Sequence, residues 1–140
     1  MSIKQLSVFL ENKPGALQQL TRVLAASEVD MKGLSLSEMT DFGIVRLIVK
    51  DTITAANVLR EAGFVSSINP VLAYEIPNEP GGLNRLLELL TGSGINVEYM
   101  YSCATGKGSN ACLVFRVSDI KAAELVLSAK GLQPITHDDL

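Results

Sequence analysis

One seven-residue stretch constrains this chain more than any other, because it occurs twice. Glu11-Asn12-Lys13-Pro14-Gly15-Ala16-Leu17 returns as Pro77-Asn78-Glu79-Pro80-Gly81-Gly82-Leu83. The matched positions are Asn12/Asn78, Pro14/Pro80, Gly15/Gly81 and Leu17/Leu83. Each copy follows a strand-like apolar run and opens a helix-like one. Proline suits the first helical position, where its missing N–H and fixed φ cost nothing. The glycine behind it leaves the amides of the first turn uncovered. A helix start with bare N–H groups attracts an anion such as a carboxylate. One such turn would be an ordinary strand-to-helix connection. Two copies, each with Asn at the same offset, point to a binding module.

The segments around these turns repeat as β-α-β-β-α-β. In the first copy, Ile3, Leu6, Val8 and Leu10 mark a strand, and Leu17, Leu20, Val23 and Leu24 recur at helical spacing. A second strand is predicted over 29–39, a hairpin turn at Thr40-Asp41-Phe42-Gly43, and a third strand over 44–50. Asp51 or Thr52 caps a helix that Gly63 closes, and 64–68 is a short fourth strand. The second copy has strands at 71–76, 95–103 and 111–117, with Gly106-Lys107-Gly108 in its hairpin. Its helices carry Leu83, Leu86, Leu87 and Leu90, then Ala122, Ala123, Leu125 and Val126. Ser118 or Asp119 caps the latter helix and Gly131 closes it. A last strand over 132–136 and a frayed tail over 137–140 complete the reading.

Pro14 to Pro80 and Val29 to Ile95 are both 66 positions, whereas Asp51 to Asp119 and Gly63 to Gly131 are 68. The two extra residues fall between the second and third strands, where a hairpin loop absorbs them. Two domains follow, 1–69 and 70–140, with only Asn69-Pro70 between them. The fold class is α+β: two tandem ferredoxin-like repeats, each a four-stranded antiparallel sheet with both helices on one face. Their exposed edges offer the option of joining into one eight-stranded sheet.

Charge and composition narrow the function classes. The net charge is −3, with Lys and Arg scattered, which gives no footing for nucleic acid or an anionic membrane. Tyr99 and Tyr101 lack the basic setting of an RNA-binding sheet. No apolar run approaches the ~20 residues of a membrane span, and the N-terminus lacks a secretion signal, so a cytoplasmic protein is expected. Cys103 and Cys112 lack metal-ligand spacing and His137 is the sole histidine. No metal, no cofactor and no catalytic Cys–His pair are therefore expected. Across a two-residue turn at Lys107-Gly108 the two cysteines would face each other. Free thiols are the expectation in a reducing compartment, with a disulfide as the alternative.

The candidate ligand groups sit at two places. Gly15, Ala16, Gly81 and Gly82 would present amides to a carboxylate. Gly82 costs up to ~1 kcal/mol inside a helix, which either a ligand or a crowding neighbour would explain. Asn12 and Asn78 would accept from an ammonium group, or simply brace the turn. Asp30 and Asn96, each behind a β-branched residue at the start of a second strand, form the other pair.

The series strand–ENKPGAL–helix–VDM, repeated as PNEPGGL and GINV, resembles the ACT domain, a small regulatory module of amino-acid metabolism. The resemblance covers nearly the whole chain as two tandem copies. It implies binding, not catalysis, with an amino acid held where ACT domains pair. Asn12, Pro14, Gly15, Ala16, Leu17, Asp30 and Met31 would serve one site. Asn78, Pro80, Gly81, Gly82, Leu83, Asn96 and Val97 would serve the other. Some serine-binding members carry His where this chain has Leu10 and Ile76, and Glu28 replaces a frequent Gly, present as Gly94. The resemblance further implies a homodimer and a separate regulated enzyme as partners. The second reading is an interaction module with vestigial pockets. Acylphosphatase, an enzyme of the same fold, needs an Arg in its phosphate loop that neither turn supplies.

Overall fold

The computed structural model describes residues 2–105 and 108–140. The chain divides into two compact units, Lys4–Asn69 and Pro70–Leu140, the latter with the start of the chain.

In the first unit β1 (Ile3–Glu11) leads through the first proline-glycine turn into α1 (Ala16–Ala26). β2 (Met31–Glu38) and β3 (Phe42–Val49) follow, then α2 (Thr52–Glu61). β3 lies between β1 and β2 and is antiparallel to both. β4 (Val65–Ile76) runs through the unit boundary. Its opening part lies beside β1, where the Ser7 hydroxyl donates to Asn69 Oδ1 at 2.7 Å.

The second unit repeats this plan with α3 (Gly82–Gly92), β5 (Val97–Cys103), β6 (Ala111–Val117) and α4 (Ile120–Ala129). β6 is antiparallel to both β4 and β5. The repeat extends to local irregularities. The β2–β3 register slips between Met31 and Gly33, and the β5–β6 register slips between the equivalent Val97 and Tyr99.

The eight expected strands appear as six among the described residues, so the eight-stranded count is corrected. The segments 64–68 and 71–76 are one continuous strand, because Asn69-Pro70 stays extended. The segment 132–136 is tied to β4 by a Tyr74–Pro134 bridge and an Ile135 N–H bond to Ala73 O at 2.7 Å, without a regular ladder among the described residues. Proline lacks the donor that a regular ladder would need. The tail is not frayed either. His137–Asp139 forms a 3₁₀ turn, with Thr136 and Asp139 in a reciprocal capping box, and Leu140 is buried. The turn expected at Gly106-Lys107-Gly108 falls partly outside the described residues.

Each unit has its own core, and the cores correspond position by position. Leu6, Val8, Leu10, Leu20, Leu24, Val45, Leu47, Val49, Ala55 and Leu59 fill the first. Leu72, Tyr74, Ile76, Leu86, Leu90, Leu113, Phe115, Val117, Ala123 and Leu127 fill the second. The larger Tyr74 and Phe115, with ring centroids 5.9 Å apart, take the places of Val8 and Leu47. Burial of this apolar surface, at ~25 cal/mol per Å², fixes each helix pair against its sheet and so fixes the turn between β-strand and helix. β4 is also buried at successive residues from Val71 to Tyr74, so both of its faces are covered there.

Candidate functional site

The four helices start in two different ways. α2 and α4 are capped by aspartates: Asp51 Oδ1 accepts from Thr54 N–H at 3.1 Å, and Asp119 Oδ1 from Ala122 N–H at 3.0 Å. α1 and α3 begin instead at Gly15 and Gly81, with φ of 86° and 87° and no side-chain cap. Such a positive φ suits glycine because a Cβ would be strained there. The Ala16 and Gly82 amides bond back to Lys13 O and Glu79 O, and those of Gln19 and Arg85 to Gly15 O and Gly81 O. Among the described residues, the N–H groups of Leu17, Gln18, Leu83 and Asn84 have no acceptor. Both first helices thus present bare donors at the positive end of the helix dipole.

The first turn lies between two grooves, and Ala16 lines both. One, of about 280 Å³, is walled by Phe9, Phe42 and Phe64, with Lys13 and Gln19 at the turn. The other, of about 80 Å³, is bounded by Asn12, Leu17, Leu36 and Glu38. Lys13 pairs with Glu11 at 2.9 Å, both being exposed. The larger groove is near the lower end of the range for small-ligand pockets. A groove of about 430 Å³ in the second unit, beside α4 and Leu132–Pro134, contains no turn residue.

Asn12 braces the turn. Its N–H donates to Asp41 O at 2.9 Å, and its Nδ2 reaches the carbonyls of Met39 and Thr40, both at 3.4 Å. Leu17 packs partly on the first core, whereas Leu83 is exposed. Pro14, Pro80 and Asn78 lie exposed on the turns. At the second turn, a Cβ on Gly82 would run into the Pro77 carbonyl oxygen, so crowding accounts for this glycine. Arg85 lies against Gly81 and pairs with Glu79.

The second group of candidate residues stands elsewhere in each unit. Glu11 pairs with Phe42 at one end of β3, and Met31 with Val49 at the other. That separation is about 23 Å at ~3.3 Å per residue. Asp30, just before Met31, is therefore far from the turn of its own unit, and Lys32 holds it at 2.9 Å. Val97 likewise pairs with Val117, whereas Ile76 pairs with Ala111. Asn96 is bound through its main chain to Ser118, with its side chain exposed. The turns and the strand starts are thus separate clusters within each unit. The groove-lining Phe9, Phe42, Phe64 and Gln19 were not singled out from sequence. Gln19 and Arg85 had a signal, since both lie one helical turn beyond the glycine.

Residues 1–140 match a family model described as the ACT domain pair. The chain belongs to the ACT domain pair family. An ACT domain pair is typical of regulatory ligand-binding modules. Protein BT0572 from Bacteroides thetaiotaomicron is 38% identical, with a TM-score of 0.92 over 99% of this chain and 95% of that one. The regulatory subunit of aspartate kinase from Thermus thermophilus, in its ligand-free form, shares the fold at 12% identity. Its TM-score is 0.63, over 90% of this chain and 88% of that one. No curated protein matches. Among the described residues, no helix of this ACT pair is long and apolar enough to cross a membrane.

Proposed function

We propose that this ACT domain pair is a non-catalytic sensor that binds a small amino acid at its proline-glycine turns. The observation that carries the reading is the contrast between helix starts. α2 and α4 are capped by their own aspartates, whereas α1 and α3 are left bare at equivalent positions. The ligand carboxylate accepts from the N–H groups of Leu17 and Gln18, or of Leu83 and Asn84. Asn12 Oδ1 accepts from the ammonium group while Nδ2 keeps its hold on the hairpin. The aromatic groove beside the first turn takes the side chain. Asp30, Met31, Asn96 and Val97 complete a site only when another ACT copy is apposed, which a homodimer of the chain supplies. The regulated partner is a separate enzyme in the cytoplasm. Aspartate kinase regulatory subunits of this fold make a ligand-responsive enzyme partner a reasonable class.

Equilibrium dialysis against the common amino acids tests this. Saturable binding of at least one supports it, and its loss when the α-carboxylate is amidated supports the carboxylate role. No binding of any amino acid at millimolar concentration overturns it.

A second reading, an interaction module with vestigial pockets, is favoured by the second turn. There Gly82 is explained by Pro77, and the Arg85–Glu79 pair stands at Gly81. Glu28, in place of glycine, points the same way. Light scattering separates the readings: stable dimers without amino-acid binding support the second one.

A further inference from the structure

Cys103, the last residue of β5, and Cys112 in β6 are direct partners in the antiparallel register. Directly opposed residues have Cα atoms about 4.5–5.5 Å apart, inside the 4.4–6.8 Å range that a disulfide spans. Both cysteines are free, and their sulfurs lie 2.7 Å apart, sharing one hydrogen bond. Cys103 is half-buried and Cys112 is buried. A third row partner, Glu75, is opposite Cys112 on β4, and its carboxylate accepts from the Thr105 hydroxyl at 3.3 Å. The first unit has no counterpart, because Ser35, Ser37, Ile44 and their neighbours occupy the equivalent hairpin.

We propose that Cys103 and Cys112 form a two-electron thiol–disulfide site that is oxidised by low-molecular-weight disulfides. Exposure makes Cys103 the attacking group. The hydrogen bond shared with Cys112 holds Cys103 below the ordinary thiol value, while the same bond and then burial push Cys112 up. The Cys103 thiolate attacks one sulfur of RSSR, forming a Cys103–S–S–R bond and expelling RS⁻, which takes up a proton. Cys112 then loses its proton to solvent and attacks Cys103 Sγ. The new S–S bond joins the two cysteines and a second RS⁻ leaves and is protonated. The protein dithiol is oxidised by two electrons, and one RSSR is reduced to two RSH. The strands need no rearrangement, since their register already opposes the two residues.

The test uses the full chain, reduced, desalted and equilibrated in glutathione buffers of rising oxidised fraction. Intact mass and thiol content after denaturation are read. Both thiols should disappear together, with loss of two hydrogens and no lasting glutathione adduct. Cys112→Ser should keep one adduct at Cys103, and Cys103→Ser should react about tenfold more slowly or less. Two thiols that persist in the unreduced wild type under oxidising buffer overturn the proposal. So does a wild-type adduct that never resolves, or oxidation that only links separate chains.

Discussion

The carbonyl oxygen of Pro77 occupies the space that a Cβ at Gly82 would need. At the equivalent place in the first unit, Ala16 carries its methyl group in the core. Helix propensity alone favours Ala over Gly by up to ~1 kcal/mol. A backbone clash has the opposite sign and costs about 1–3 kcal/mol. Gly82→Ala should therefore destabilise the protein in urea unfolding, and a stabilised variant would show that the contact is not rigid.

Glu28 and Gly94 end the first helix of each unit in the left-handed region, at φ of 56° and 71°. In both, the following N–H reaches back along the helix, Val29 to Leu24 O and Ile95 to Leu90 O. A non-glycine residue pays ~1–2 kcal/mol there, partly offset by the greater freedom of glycine in the unfolded chain. Glu28→Gly should raise stability by about 0.5–1 kcal/mol, and Gly94→Ala should lower it by about 1 kcal/mol. Equal midpoints for Glu28→Gly and the parent would contradict the strain.

Asp51 accepts from the Thr54 hydroxyl at 2.7 Å and from the Thr54 N–H, which hold its carboxyl below the ordinary 3.8. A depressed folded-state pKa means that stability is present above the unfolded value and is lost as pH falls through the folded one. The cap should weaken below about pH 3.8. Asp51→Asn keeps an acceptor that does not ionise. Stability curves from pH 7 to pH 2 should fall less steeply for this variant.

Gln18 stands at the third position of α1, beside a bare amide. A carboxylate there favours the helix dipole by ~0.3–1 kcal/mol and repels an anionic ligand. Gln18→Glu should therefore raise the melting temperature slightly while weakening amino-acid binding. A rise in both would place the ligand away from the first turn.

The duplication, the alternating cores and the aspartate caps were legible because each is a short-range pattern. Leu20/Leu86 and Leu59/Leu127 fall into place once the 66- and 68-residue offsets are noticed. The bare turns were legible from Pro14-Gly15 and Pro80-Gly81, which leave no capping side chain. Four features were not. Asn69-Pro70 reads as a break, yet its backbone remains extended through β4. Thr136 and Asp139 spell a capping box that apolar periodicity does not report. The crowding at Gly82 arises from a carbonyl five residues back, and only the turn geometry brings the two together. The separation of Asp30 from Asn12 follows from register across β3, which depends on how the strands pair.

The amides of Leu17, Gln18, Leu83 and Asn84 are themselves the donors on which the account depends. Titrating isotope-labelled protein with the amino acid that binds, and following these four N–H resonances, observes them directly. At least one pair, Leu17 and Gln18 or Leu83 and Asn84, should move downfield along a curve that matches the dissociation constant from dialysis. Binding that leaves both pairs unmoved would contradict the account.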